Sequence, residues 1–315
     1  MRPNPLLEIE NLCVTFKTDE GLVQAVNGVS LSVDPGQIIG VVGESGCGKS
    51  VTSLAVMGLI PQPPGDITSG RIQFKGQNLL DLSETQYQQM RGNQISMTSL
   101  NPLHRIGRQI EEVLILHKKA SGKAASDLAV HMLDKVRIPD PARRAREFPH
   151  QLSGGMRQRV MIAMALACAP KLLIADEPTT ALDVTIQAQI LTLMNELKQD
   201  LGTAIMLITH DLGVVAETAD QVAVMYARRI IESCDVKTIF SNPLHPYTQG
   251  LLDRPVPQDK LLQAIPGMVP SLTDLPRGCP FHDRCAHAFS PCAKTVPDLK
   301  DTGFNHKVRC FLHER

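Results

Sequence analysis

The chain has 315 residues, 43% of them hydrophobic and 20% charged, and a formal net charge of +0. Such a composition supports an ordinary buried core, and the lack of an overall basic field argues against nucleic-acid binding. No apolar run reaches the roughly 18 residues of a membrane span, and residues 1–8 lack a basic stretch leading into an apolar one, so the expectation is a protein that stays in the cytosol.

Residues 7–16 alternate apolar and polar side chains and predict a strand. Residues 29–33 and 37–42 predict two more, the second almost wholly apolar, as suits a sheet covered on both faces. A break at 43–50 precedes a predicted helix over 51–57. Residues 83–150 are polar and mostly helical, most clearly at 111–117 and 124–136. Helix and strand then alternate: helix at 156–167, strand at 172–175, helix at 184–199, strand at 204–208. This pattern predicts the α/β class with an inserted helical region at about 98–165. Beyond 240, prolines recur at 243, 246, 255, 257, 266, 270, 276, 280, 291 and 297, so residues 241–315 read as a loop-rich extension. No internal repeat is found.

Gly43-Glu44-Ser45-Gly46-Cys47-Gly48-Lys49-Ser50 fits G-x-x-x-x-G-K-[ST] between an apolar strand and a helix that continues into Val51. The glycines let successive N–H groups turn toward a phosphate, and the helix start adds positive partial charge. Lys49 supplies a point charge to the outer phosphates and Ser50 offers its hydroxyl to Mg²⁺. Cys47 has two readings, a thiol of lowered pKa at a helix start or a small filler. Residues 172–177 form an apolar strand ending in Asp176, suited to hold Mg²⁺, and Glu177, suited to polarise an attacking water. Leu152-Ser153-Gly154-Gly155-Met156-Arg157-Gln158-Arg159 opens a helix with a Ser-Gly-Gly turn, a second anion-binding helix start. One nucleotide does not need two such cradles from one chain.

In combination these motifs resemble the ABC ATPase family over roughly residues 5–250. The resemblance implies a P-loop NTPase fold of the ABC-ATPase type, with a mixed sheet, an ATPase domain at 1–240 and a helical subdomain, and it implies binding of ATP and Mg²⁺. Ser153, Gly154 and Gly155 would then meet the γ-phosphate held by a second ATPase subunit. Thr180-Ala181-Leu182-Asp183 resembles the family's D-loop, which implies that Asp183 lies at that subunit interface. Thr209-His210-Asp211 resembles its H-switch, which implies that His210 contacts the γ-phosphate. Phe16 stands where the family stacks an aromatic ring on adenine; a core phenylalanine reads equally well from the sequence.

Two departures stand out. Close relatives read I-S-M-I-F-Q-x-P-x-T-S-L-N-P, and this chain reads Ile95-Ser96-Met97-Thr98-Ser99-Leu100-Asn101-Pro102, so about six residues including the Gln are absent. In the family that Gln touches Mg²⁺ and the attacking water, which implies impaired hydrolysis or coupling here; a degenerate or misread gene copy is the other reading. Ala227-Arg228-Arg229 replaces a frequent Ala-Gly-Arg turn, so Arg228 is expected to be mildly strained.

Asn242-Pro243-Leu244-His245-Pro246-Tyr247-Thr248 and the tail segment with Cys279, Cys285, Cys292 and Cys310 resemble the oligopeptide and dipeptide importer branch. The resemblance implies uptake of di- or oligopeptides, with nickel and glutathione importers as alternatives. It implies as partners a sibling or second copy of the ATPase, two membrane permeases and a substrate-binding protein, on the cytoplasmic face of a bacterial inner membrane. The spacing C-x5-C-x6-C-x17-C lacks the C-x2-C pairs usual for zinc. The resemblance implies a [4Fe–4S] cluster there; zinc and four reduced thiols are the alternatives. DNA-repair and chromosome ATPases share the motifs but separate them with long coiled coil, whereas Ser50 and Leu152 lie about 100 residues apart without heptads. A non-hydrolysing partner subunit is favoured by the missing Gln and opposed by Lys49, Glu177 and His210.

Overall fold

The computed structural model describes residues 4–19, 21–180, 182–252, 265, 267–268, 270 and 275–314. Expectations that fall on residues 1–3, Ala181, Pro255, Pro257 and Pro266 lie outside these. In chain order the elements are β1 (Leu7–Thr18), β2 (Gly21–Val33), β3 (Ile38–Val42), α1 (Lys49–Val56), β4 (Gly65–Phe74), β5 (Gln77–Asn78), α2 (Glu84–Met90) and β6 (Ile95–Met97). There follow α3 (Ile106–Leu116), α4 (Gly122–Lys135), α5 (Pro141–Arg144), α6 (Gly154–Leu166), β7 (Leu172–Asp176), α7 (Val184–Leu201), β8 (Ala204–Thr209) and α8 (Leu212–Thr218). The chain closes with β9 (Gln221–Tyr226), β10 (Arg229–Asp235), α9 (Val236–Ser241), α10 (Pro246–Leu252), β11 (Lys300–Asp301) and β12 (Lys307–Val308).

The chain divides into two compact units, one built mainly from residues 81–208, the other from 7–32, 39–80 and 209 onward. In the first, β6, β7 and β8 run parallel, with Leu172 opposite both Ile95 and Ala204. Every side chain of β8 and the first four of β7 are buried, as continuous apolar strands should be when both faces are covered. Ile106, Ile110 and Leu114 of α3 and Ala125, Ala129 and Leu133 of α4 recur every fourth residue and form their buried stripes. Each buried leucine or isoleucine contributes about 2 kcal/mol.

In the second unit, β1 pairs antiparallel with β4 inside the order β2-β1-β4-β5. The order β11-β12-β10-β9-β3 forms its other sheet portion, in which β3 runs parallel to β9 and β10 antiparallel to it.

The predicted elements are found with shifted ends. Helix α3 begins five residues before the predicted 111 because Gly107, a poor helix former, serves as a close-packing point. A Cβ there would lie 2.8 Å from the Ala145 carbonyl oxygen, which accepts the Gly107 N–H. The extension is also less irregular than its prolines suggest. Its strand β12 pairs with β10, setting Val308 opposite Glu232. Among the described residues no helix is long and apolar enough to cross a membrane.

Candidate nucleotide-binding site

The phosphate-loop residues cluster in the second unit. Strand β3 is wholly buried and delivers the chain into Gly43. A Cβ at Gly43 would lie 2.2 Å from the Met225 carbonyl oxygen, and one at Gly48, where φ is +104°, would lie 2.6 Å from that of Ala25. Glycine is therefore required at both positions by close backbone approach. Lys49 is buried, and its Nζ donates to the carbonyls of Gly43 (2.7 Å) and Glu44 (3.1 Å), so the ammonium folds back over the loop. Ser45, Gly46 and Ser50 are exposed, and Val51 is half-buried in α1. Of the two readings of Cys47, the small filler fits better: burial pushes its pKa up, and nearby Lys49 only partly offsets this. Cys47 is a filler whose Sγ occupies the space a Gly43 side chain would take.

Two features of this loop are invisible to motif reading. The Glu44 N–H donates to the Tyr247 hydroxyl oxygen at 3.2 Å, so the Asn-Pro-Leu-His-Pro-Tyr segment touches the loop directly. The Glu44 carboxylate pairs with Arg284 from the cysteine-rich tail at 3.1 Å. Phe16 is half-buried on β1, with its ring edge 2.8 Å from where a Gly65 Cβ would stand. His210 is exposed just past the end of β8, and Asp211 caps α8 by accepting the Gly213 N–H at 2.8 Å.

The acidic pair, the Ser-Gly-Gly turn and Asp183 belong to the first unit. Asp176 ends β7, and Glu177 adopts a left-handed backbone with φ +49°, a conformation that costs a non-glycine residue about 1 kcal/mol or more. Its N–H donates to the Ile208 carbonyl at 2.8 Å, and the Thr180 hydroxyl donates to its carboxylate. Ser153 caps α6, accepting the Met156 N–H at 3.3 Å. A Cβ on Gly154 would meet Leu182 at 3.3 Å and one on Gly155 would meet Ile186 at 2.6 Å, so the turn packs on the segment that starts α7. Asp183 is exposed and caps α7 through the Ile186 N–H at 2.9 Å.

The shortened segment has a structural counterpart. β6 pairs with Leu172, Leu173 and Ile174 and goes no further along β7. The Thr98 N–H makes the last bond, to the Ile174 carbonyl. The loop that follows is tied to α3 by buried Gln109, whose amide donates to the carbonyls of Asn101 and His104 and accepts the Asn101 N–H, each at 2.9 Å. The expected strain is present: Ala227 and Arg228 are consecutive left-handed residues with φ +42° and +73°.

Cys279, Cys285, Cys292 and Cys310 line one small cavity with His245, Phe281, His282 and His287. Burial raises the pKa of Cys279 and Cys285 and pushes Cys310 up to about 11. Among the described residues no three His, Cys, Asp or Glu side chains are arranged to hold a metal ion, and the implied iron–sulfur cluster therefore lacks a preformed site.

Known proteins match these features. A family model described as ABC transporter matches residues 26–180, and one described as Oligopeptide/dipeptide transporter, C-terminal region, matches 231–292. The oligopeptide transport ATP-binding protein OppD of Bacillus subtilis is 51% identical, over 99% of this chain and 90% of its own length. The chain belongs to the ATP-binding proteins of oligopeptide/dipeptide ABC transporters. The probable peptide ABC transporter ATP-binding protein y4tR of Sinorhizobium fredii is 49% identical over 99% of this chain and 97% of its own. The ATP-binding cassette MJ0796, solved as a dimer in a post-hydrolysis state bound to ADP and Pi, is 27% identical, with a TM-score of 0.66 over 73% of this chain and 98% of that one. The α/β ABC-ATPase fold expected of this family is thus the fold found.

Proposed function

We propose that the chain hydrolyses ATP to drive uptake of di- or oligopeptides through an ABC importer, seated on the cytoplasmic face of a bacterial inner membrane by its contacts with permeases. The ATPase domain is 1–240, with its helical subdomain at about 98–165, and 241–315 is the family's extension. The carrying observation is the match over nearly the whole chain to peptide-transport ATP-binding proteins, including the separate C-terminal family region. Partners of the kind such importers use are a second ATPase subunit, two permeases and a substrate-binding protein.

Residues 43–50 wrap the phosphates with backbone N–H groups, and Lys49 leaves its carbonyl partners to meet the outer phosphates. Ser50 and Asp176 would each offer an oxygen to Mg²⁺, which would neutralise charge on the phosphates. Glu177 takes a proton from the attacking water, His210 orients the γ-phosphate and Phe16 stacks on adenine. Ser153, Gly154 and Gly155 present a helix start to the nucleotide of the second subunit, and Asp183 lies at that interface. ATP-dependent peptide uptake by reconstituted complexes tests this reading; uptake of nickel or glutathione in place of peptides would reassign the cargo.

A [4Fe–4S] cluster on Cys279, Cys285, Cys292 and Cys310 rests on the family resemblance; the four thiols share one cavity lining but would have to draw together around the cage. It would be structural, pinning the tail. Anaerobic purification with iron and sulfide assays tests it, and stoichiometric zinc without iron would overturn it.

A further inference from the structure

The tail reaches into the phosphate loop at one point. Arg284, between Cys279 and Cys285, is 6% exposed and donates to both Glu44 carboxylate oxygens, at 3.1 and 3.5 Å. It is held by the Tyr226 hydroxyl and the Ile265 carbonyl, each at 3.3 Å, and lies 5.8 Å from the ring centres of Tyr226 and Phe281. Tyr226, Tyr247 and Phe281 pack with ring centres 4.6–5.5 Å apart, and Tyr247 also meets the Glu44 backbone. Glu44 is an unfavourable residue for an anion site. Its carboxylate repels triphosphate, and because Lys49 already donates to the Glu44 carbonyl, an unpaired Glu44 carboxylate would compete for that ammonium.

We propose that Arg284 is a positioning residue for nucleotide binding: it cancels the Glu44 carboxylate and holds it aside, leaving Lys49 available to the phosphates. The guanidinium is well suited to this, since its planar fork meets both carboxylate oxygens and stays charged when buried. The tail thereby sets the charge of the phosphate loop. This rests on the ATP-binding reading above.

The test is ATP affinity by fluorescent-nucleotide titration on the full chain, with circular dichroism to check folding. Arg284→Gln is expected to weaken binding on the order of tenfold. Arg284→Lys, which keeps the charge, recovers most of that loss. The deciding variant is Arg284→Gln with Glu44→Gln: removal of the unpaired carboxylate restores affinity, which a loss of tail docking would not allow. Glu44→Gln alone binds more tightly than wild type, an expectation that stands even if Arg284→Gln fails to fold. The proposal is overturned if Arg284→Gln binds like wild type, if the double variant stays as weak as Arg284→Gln, or if Glu44→Gln alone weakens binding. A wild-type chain that binds no ATP overturns the underlying reading instead.

Discussion

Glu177 carries two marks of a functional group, a left-handed backbone on a non-glycine residue and a carboxylate held by the Thr180 hydroxyl. Glu177→Gln keeps size and backbone while removing the proposed base, so nucleotide affinity is expected to hold and turnover to fall about 100-fold or more, measured by phosphate release. The motif revealed Glu177, but Thr180 as its clamp needed coordinates, because nothing local separates that hydroxyl from an exposed threonine. Arg284 was hidden for a stronger reason: its partner lies 240 positions away. His245 gives a residue-scale prediction about pH. Complete burial, reinforced by His313, pushes its pKa down to about 3, and its Nδ1 accepts the Tyr247 N–H at 3.0 Å. A free histidine titrates near 6.5, so between about 3 and 6.5 the unfolded chain binds a proton that the folded chain refuses. Stability from this group should therefore rise with pH across that window, by about 1.4 kcal/mol per unit, and level off above it. Urea titrations of wild type and His245→Asn should differ in slope by one proton there.

At the scale of elements, the short strand β6 is the consequential feature. It supports β7 only as far as Ile174, two residues before Asp176, and Gln109 ties down the truncated loop. Inserting the six missing residues with their Gln is expected to raise ATP turnover without changing nucleotide affinity, read by steady-state kinetics; an unchanged turnover number would mean the shortened loop costs nothing. The deletion was legible from sequence because both flanks, Ile95-Ser96-Met97 and Leu100-Asn101-Pro102, survive. Buried strands β3, β7 and β8 were legible for their continuous apolar runs. The early start of α3 was not, since Gly107 argues against a helix until its contact with Ala145 is seen.

At the scale of the whole molecule, a buried carboxylate is one of the ties between the extension and the rest of its unit. Glu232 on β10 is fully buried and accepts the N–H groups of Leu244 (2.7 Å) and His245 (2.9 Å), while His306 Nε2 lies 2.7 Å away. Glu232→Ala orphans all three partners, and a loss of about 3 kcal/mol in urea unfolding is expected. A proline-rich composition gave no hint of this anchor, because it depends on pairing between β10 and β12 across more than 70 residues. With a single phosphate loop and a single Ser-Gly-Gly turn per chain, the proposed importer would work through a pair of ATPase chains. Peptide-stimulated ATP turnover in the full complex, reconstituted in vesicles with permeases and binding protein, tests this most directly. Phosphate release that rises with peptide and is abolished by Glu177→Gln is the expected result; turnover indifferent to both peptide and that substitution would contradict it.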